Sequence, residues 1–88
     1  MPIVETDLDY EKLYKTLNLL GYRVKGEIEP INEKAGNIEC SIYLSAEKNG
    51  DSKITANYHL ERPNGKVLQA ILSATSEQLS EIEKLLQN

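Results

Sequence analysis

Residues 37–62 read NIECSIYLSAEKNGDSKITANYHLER, and this stretch decides the fold. Apolar and polar residues alternate from Ile38 to Ala46 and again from Ile54 to Leu60. That is the period of a strand with one buried face. Between the two runs stands Lys48-Asn49-Gly50. A glycine placed third in a three-residue loop suits a type I turn closed by a left-handed residue, so the runs are expected to form an antiparallel hairpin. In that register Leu44 faces Ile54, Ile42 faces Ala56, Cys40 faces Tyr58 and Ile38 faces Leu60. A two-residue Asn-Gly loop would oppose Leu44 to Thr55 and split the apolar set, because a slip of one residue moves every side chain to the other face.

Two turns of the same kind flank this hairpin. Lys34-Ala35-Gly36 joins it to a strand over about Tyr22–Asn32, with Ile28 against Ile42 and Gly26 against Leu44. Pro63-Asn64-Gly65 leads into Lys66–Ala74, with Leu60 against Leu68, Tyr58 against Ala70, Ala56 against Leu72 and Ile54 against Ala74. Pro63 suits the first central position of such a turn. Every apolar residue in these pairs is even-numbered, so one sheet face is apolar throughout. Pro30 has no amide hydrogen to give to a ladder, which places the first strand at an edge.

The last third of the chain has two readings. Leu68, Leu72, Thr75, Leu79, Ile82 and Leu86 also fit one long helix from Lys66 to Gln87. Against this, Thr75 and Gln78 make a capping box, with Ala74 and Leu79 as the hydrophobic staple, so a helix starts at Ser76. The residues before it are then a strand. Near the other end, Leu13, Leu17 and Leu20 recur at helical spacing, flanked by Tyr10 and Tyr14. Thr6 or Asp7 is the expected cap, and Gly21 follows as the stop.

The expected fold is therefore α+β. It is a two-layer sandwich in the order α-β-β-β-β-α, a four-stranded antiparallel meander with two helices on one face, in a single domain over 1–88. The alternative is α-β-β-β-α with one long C-terminal helix.

The chain has 88 residues and a net charge of −4, and no two basic residues are adjacent. That disfavours direct contact with nucleic acid or an anionic membrane, which need a basic footprint. No apolar stretch is long enough to span a bilayer. Cys40 is the only cysteine and falls on the apolar face. A lone buried thiol without a signal peptide suggests a reducing, cytoplasmic setting.

A search for chemistry returns little. His59, the only histidine, falls on the polar face opposite Glu39 and Gln69 in this register. A Glu39–His59 pair is the one candidate acid/base or pH-sensing group. Cys40 lies on the opposite face, which disfavours a Cys-His pair. One His and one Cys cannot build a zinc site alone. Glu27, Glu29, Glu33 and Glu39 read as solvation, and Asn49-Gly50-Asp51 as a turn rather than a calcium loop. No catalytic residue, cofactor or metal is expected, and the chain is not read as an enzyme.

The polar face is more informative. Its expected rows are Glu27–Tyr43–Thr55–Ser73, Glu29–Ser41–Asn57–Ile71 and Ile31–Glu39–His59–Gln69. Such a mixture resembles a protein-contact surface more than a heavily charged solvent face. The strand Lys66–Ala74 has no charge from Val67 to Thr75 and would form an unblunted edge. A homodimer through this strand, a partner strand, or the chain's own Pro2–Glu5 could cover it. Tyr43, Asn57, His59, Val67, Gln69 and Ile71 are the expected interface residues. The function read from this is a small acidic, non-catalytic protein-binding, adaptor or regulatory module. One alternative is an acidic inhibitor mimicking nucleic acid. Another is a small-molecule-binding protein with a pocket lined by Tyr14, Tyr22 and Tyr58.

Overall fold

The computed structural model describes residues 3–6, 9–34, 37–62 and 65–86. Its elements are β1 (Ile3–Glu5), α1 (Tyr10–Leu19), β2 (Arg23–Lys34), β3 (Asn37–Glu47), β4 (Ile54–Arg62), β5 (Val67–Ser73) and α2 (Ser76–Leu86). The sheet is antiparallel in the order β1-β5-β4-β3-β2. Two helices on one sheet face make the expected two-layer α+β sandwich. Within the expected Lys66–Ala74 segment, Val67–Ser73 is a strand, and a separate helix follows, not one long helix.

The sheet has five strands rather than four. Ile3, Val4 and Glu5 pair with Ser73, Leu72 and Ile71, and the Thr6 amide donates to the Ala70 carbonyl at 3.0 Å. The edge of β5 is therefore covered by the chain itself from Ala70 to Ser73. Pairing of this stretch with a second copy would require β1 to leave. The opposite edge is β2, which contains Pro30 as expected.

The register keeps its parity but not its loop lengths. Leu44 faces Ala56, Ile42 faces Tyr58 and Cys40 faces Leu60. Each pair is displaced by two residues from the tight-hairpin expectation, so the same side chains stay on the apolar face. The Asp51 amide donates to the Lys48 carbonyl at 3.1 Å, with Gly50 at φ 85°. The connection continues through Ser52 because that segment is held by the helices. Between β4 and β5 the expected pairs hold from Ala56–Leu72 to Tyr58–Ala70. The register then shifts, and Leu60 meets Val67 instead of Leu68. Between β2 and β3 the expected pairs hold as far as Pro30–Cys40, after which Ile31 is the extra residue. Lys34 then pairs with Asn37, which shortens the expected connection. The turn residues Ala35, Gly36, Pro63 and Asn64 lie outside the described residues.

The core follows from this parity. Leu13 and Leu17 of α1 and Ile82 of α2 bury against Tyr22, Ile42, Leu44, Ile54, Tyr58 and Leu72. Ala46, Ala56, Ala70 and Ala74 are small residues on the same face, which lets the helices approach the sheet closely. The cap of α1 is Asp9, whose Oδ1 accepts from the Lys12 amide at 2.8 Å, rather than Thr6 or Asp7; Asp7 lies outside the described residues. Gly21, at φ 94°, ends the helix. Its amide donates to Asn18 and the Tyr22 amide to Leu17, both at 3.0 Å, the paired bonds of a Schellman stop.

The capping box of α2 forms as read. The Gln78 amide donates to Thr75 Oγ1 at 3.1 Å, and the Thr75 amide donates to Gln78 Oε1 at 2.9 Å. The other end of the same side chain does more. Gln78 Nε2 donates to the Ser52 carbonyl at 2.7 Å and to the Tyr22 hydroxyl at 3.2 Å. Lys48 Nζ donates to the Leu20 carbonyl at 2.9 Å and lies 5.3 Å above the Tyr22 ring. Both helix ends and the β3–β4 connection are thereby tied together.

Helix length limits what is covered. α1 has 10 residues and β2 has 12, so the helix spans about 15 Å and the strand about 40 Å. Tyr10 marks the limit on β2, where its hydroxyl lies directly over Gly26, in the space a side chain would fill. Beyond it Ile28 and Ile38 are exposed.

Candidate functional site

The helices occupy one face of the sheet, and the odd-numbered residues of β3 and β4 form the other. The middle row runs Glu27–Tyr43–Asn57–Ile71–Glu5 across all five strands. The next row is Glu29–Ser41–His59–Gln69. Tyr43, Asn57 and Gln69 are exposed, and His59 and Ile71 half-buried. Strand alternation puts these side chains on one surface, and cross-strand pairing sets them side by side.

Five of the six expected interface residues are thus neighbours, although in different rows from those expected. Val67 is the exception. The irregularity at Leu68 sets it opposite Leu60, on the helix-facing side, instead of on the outer face. With Gln69 and Leu68 it lines a groove of about 610 Å³ beside Thr6 and Asp9, where β1 no longer covers the edge of β5.

His59 is opposite Ser41, not Glu39, because of the two-residue displacement. Glu39 lies diagonally across, with Oε2 at 3.4 Å from His59 Nε2, and opposes Glu61. That imidazole nitrogen is shielded from solvent and has no hydrogen-bond partner among the described residues. Among the described residues no group of three His, Cys, Asp or Glu is placed to hold a metal ion. Cys40 is buried on the other face, its Sγ 3.9 Å from the Ile38 carbonyl.

Tyr22 and Tyr58 belong to the core more than to a pocket. Tyr58 is fully buried, edge-on to Tyr10 with ring centroids 6.0 Å apart. Burial, and then the nearby Asp9 carboxylate, pushes the Tyr58 hydroxyl up to about 12. Burial, followed by Tyr14, also raises Tyr10. Tyr22 is enclosed by Gln78 and Lys48. Tyr14 lines a separate hollow of about 350 Å³ with Tyr10, Glu11 and Lys15 on the helix exterior.

Comparison with family models, with curated proteins and with solved structures finds no match. The class is given by the molecule itself: a two-layer α+β sandwich with one sheet face that no helix among the described residues covers. No helix among the described residues is long and apolar enough to cross a membrane.

Proposed function

We propose that this chain is a non-catalytic protein-binding module, adaptor or regulatory in role, that presents the bare face of its sheet to a protein partner. One observation carries the reading. Across β3, β4 and β5 the two middle rows hold Tyr43, Asn57, Ile71, Ser41, His59 and Gln69, with no Asp, Glu, Lys or Arg. The charged residues Glu5, Glu27, Glu39 and Glu61 stand around them. A centre poor in charge within a charged rim is the anatomy of a protein interface. The net charge of −4 supports a protein partner over nucleic acid or an anionic membrane. The lone buried Cys40 supports a reducing, cytoplasmic setting.

Covalent footprinting tests the reading. Tyr43 and Ile71 are expected to be protected in the native cell extract relative to the dilute purified chain. Lys15 on the helix exterior serves as the control and is expected to label equally in both. Equal labelling of Tyr43 and Ile71 in the two samples would overturn the proposal.

A further inference from the structure

The chain contains Asn49-Gly50 and Asn64-Gly65, two dipeptides that are chemically alike by sequence. Glycine has no side chain to crowd its amide nitrogen, so in each pair that nitrogen can approach the side-chain carbonyl of the asparagine before it. The structure separates the two. The Gly65 amide donates to the Glu61 carbonyl at 2.9 Å. The Gly50 amide makes no such bond among the described residues, and neither does the Asn49 side chain. Asn49 and Gly50 are exposed, and nothing lies within 4 Å of the place a Gly50 side chain would take.

We infer that Asn49 is a site of spontaneous covalent modification, deamidation through a cyclic imide, with the Gly50 amide as the nucleophile. The Gly50 nitrogen gives up its proton to solvent and attacks Cγ of Asn49. A new C–N bond closes a succinimide ring. The Cγ–Nδ2 bond breaks, and the side-chain nitrogen leaves as ammonia after taking a proton from solvent. Water then opens the ring at either carbonyl. Opening at Cγ leaves an aspartyl residue in an ordinary backbone. Opening at the main-chain carbonyl leaves an isoaspartyl link, in which the backbone runs through the side chain and gains one methylene. One water is consumed and one ammonia released, and nothing is oxidised or reduced. The attack requires the nitrogen to lose its proton, so an amide already held in a hydrogen bond must open first. Gly65 carries that handicap and Gly50 does not.

The position gives the reaction a structural consequence. On one side of Asn49-Gly50, Lys48 Nζ holds the Leu20 carbonyl. On the other, the Ser52 carbonyl accepts from Gln78 Nε2. The turn between them is closed by the Asp51 amide on the Lys48 carbonyl. An extra methylene lengthens the backbone between the two ties, and a new carboxylate appears next to Lys48. The modified turn therefore fits both helix ends less well.

Ageing the purified full chain at mildly alkaline pH is the test. Proteolysis and mass spectrometry then separate the asparaginyl, aspartyl and isoaspartyl forms of each peptide. In the folded chain Asn49 is expected to convert roughly three- to tenfold faster than Asn64, the factor that one hydrogen bond supplies. In concentrated urea both amides are free, and the two rates are expected to converge. Asn57, followed by Tyr58 within β4, serves as the slow control. The isoaspartyl chain, isolated by ion exchange, is expected to show a lower urea midpoint than the unmodified chain. Equal rates at Asn49 and Asn64 in the folded chain, or a ratio that urea leaves unchanged, would overturn the assignment of Asn49. An isoaspartyl chain as stable as the unmodified one would overturn the coupling of this turn to the helices.

Discussion

The two ends of this sheet are built from the same alternating sequence and finished in opposite ways. At the end near Tyr22 the helix stop at Gly21, the capping box at Thr75 and the β3–β4 connection converge on two side chains, Gln78 and Lys48. At the end near Pro30 the helices no longer reach, and Ile28, Ile38, Val67 and Leu68 are exposed. The alternation is equally good at both ends. What differs is the length of helix above it. Periodicity therefore specifies which face is apolar, while the covering layer decides how much of that face is core.

The sharpest way to break this contrast is to cut into the covered end. Leu17 is fully buried, and Leu17→Ala is expected to cost about 3 kcal/mol, read as a fall in the urea midpoint. Raising the pH should open the same layer. The Tyr58 hydroxyl is pushed from 10 up to about 12 by burial, so the native state holds its proton more tightly than the unfolded chain. Its contribution is complete below pH 10 and is lost as pH rises through 12. The loss should reach about 2–3 kcal/mol, and Tyr58→Phe should remove much of the alkaline sensitivity.

Gln78→Ala is expected to cost about 2 kcal/mol, because it deletes half a capping box and leaves the Ser52 carbonyl without this donor. Gly26→Ala sharpens the boundary between the two ends. Alanine in place of an interior strand glycine ordinarily adds about 0.5–1 kcal/mol of stability. Here the new methyl group would collide with the Tyr10 hydroxyl, so the sign should reverse to a loss of about 1 kcal/mol or more. Adding Tyr10→Phe should recover part of it in a double-mutant cycle. The smallest effect belongs to the uncovered end. Ile28 is 54% exposed, and Ile28→Thr should change stability by less than about 0.5 kcal/mol. A larger loss there would mean that the exposed end is part of the cooperative core.

Much of the fold was legible because its signals are local. Alternation gave Cys40, Ile42, Leu44, Ala56 and Tyr58 a common face, and Thr75 with Gln78 marked the start of α2. The exact pairing of β3 with β4 was not legible, since a displacement of two residues preserves the face of every side chain. It is set by contacts from afar, Gln78 to Ser52 and Lys48 to Leu20. Thr6, Asp7 and Asp9 are all competent caps. The described geometry selects Asp9, and the next residue, Tyr10, docks on Gly26. The extra residues Ile31 and Leu68 have no sequence mark of a bulge, and Val67 left the expected interface set for that reason. A three-residue strand such as β1 is too short to show a period.

The placement of β1 also orders the assembly of the sheet. Strands β2 to β5 are each joined to the next by a short connection, so they can close successively at low entropic cost. Ile3 must instead wait for Ser73, almost a whole chain length away. The meander is expected to form first and the N-terminal strand to dock last. The amides bonded between β1 and β5 should then be among the first to exchange with solvent. Each time β1 lifts, an uncharged strand edge opens toward other chains, so the rate of that opening sets the propensity of the protein to aggregate.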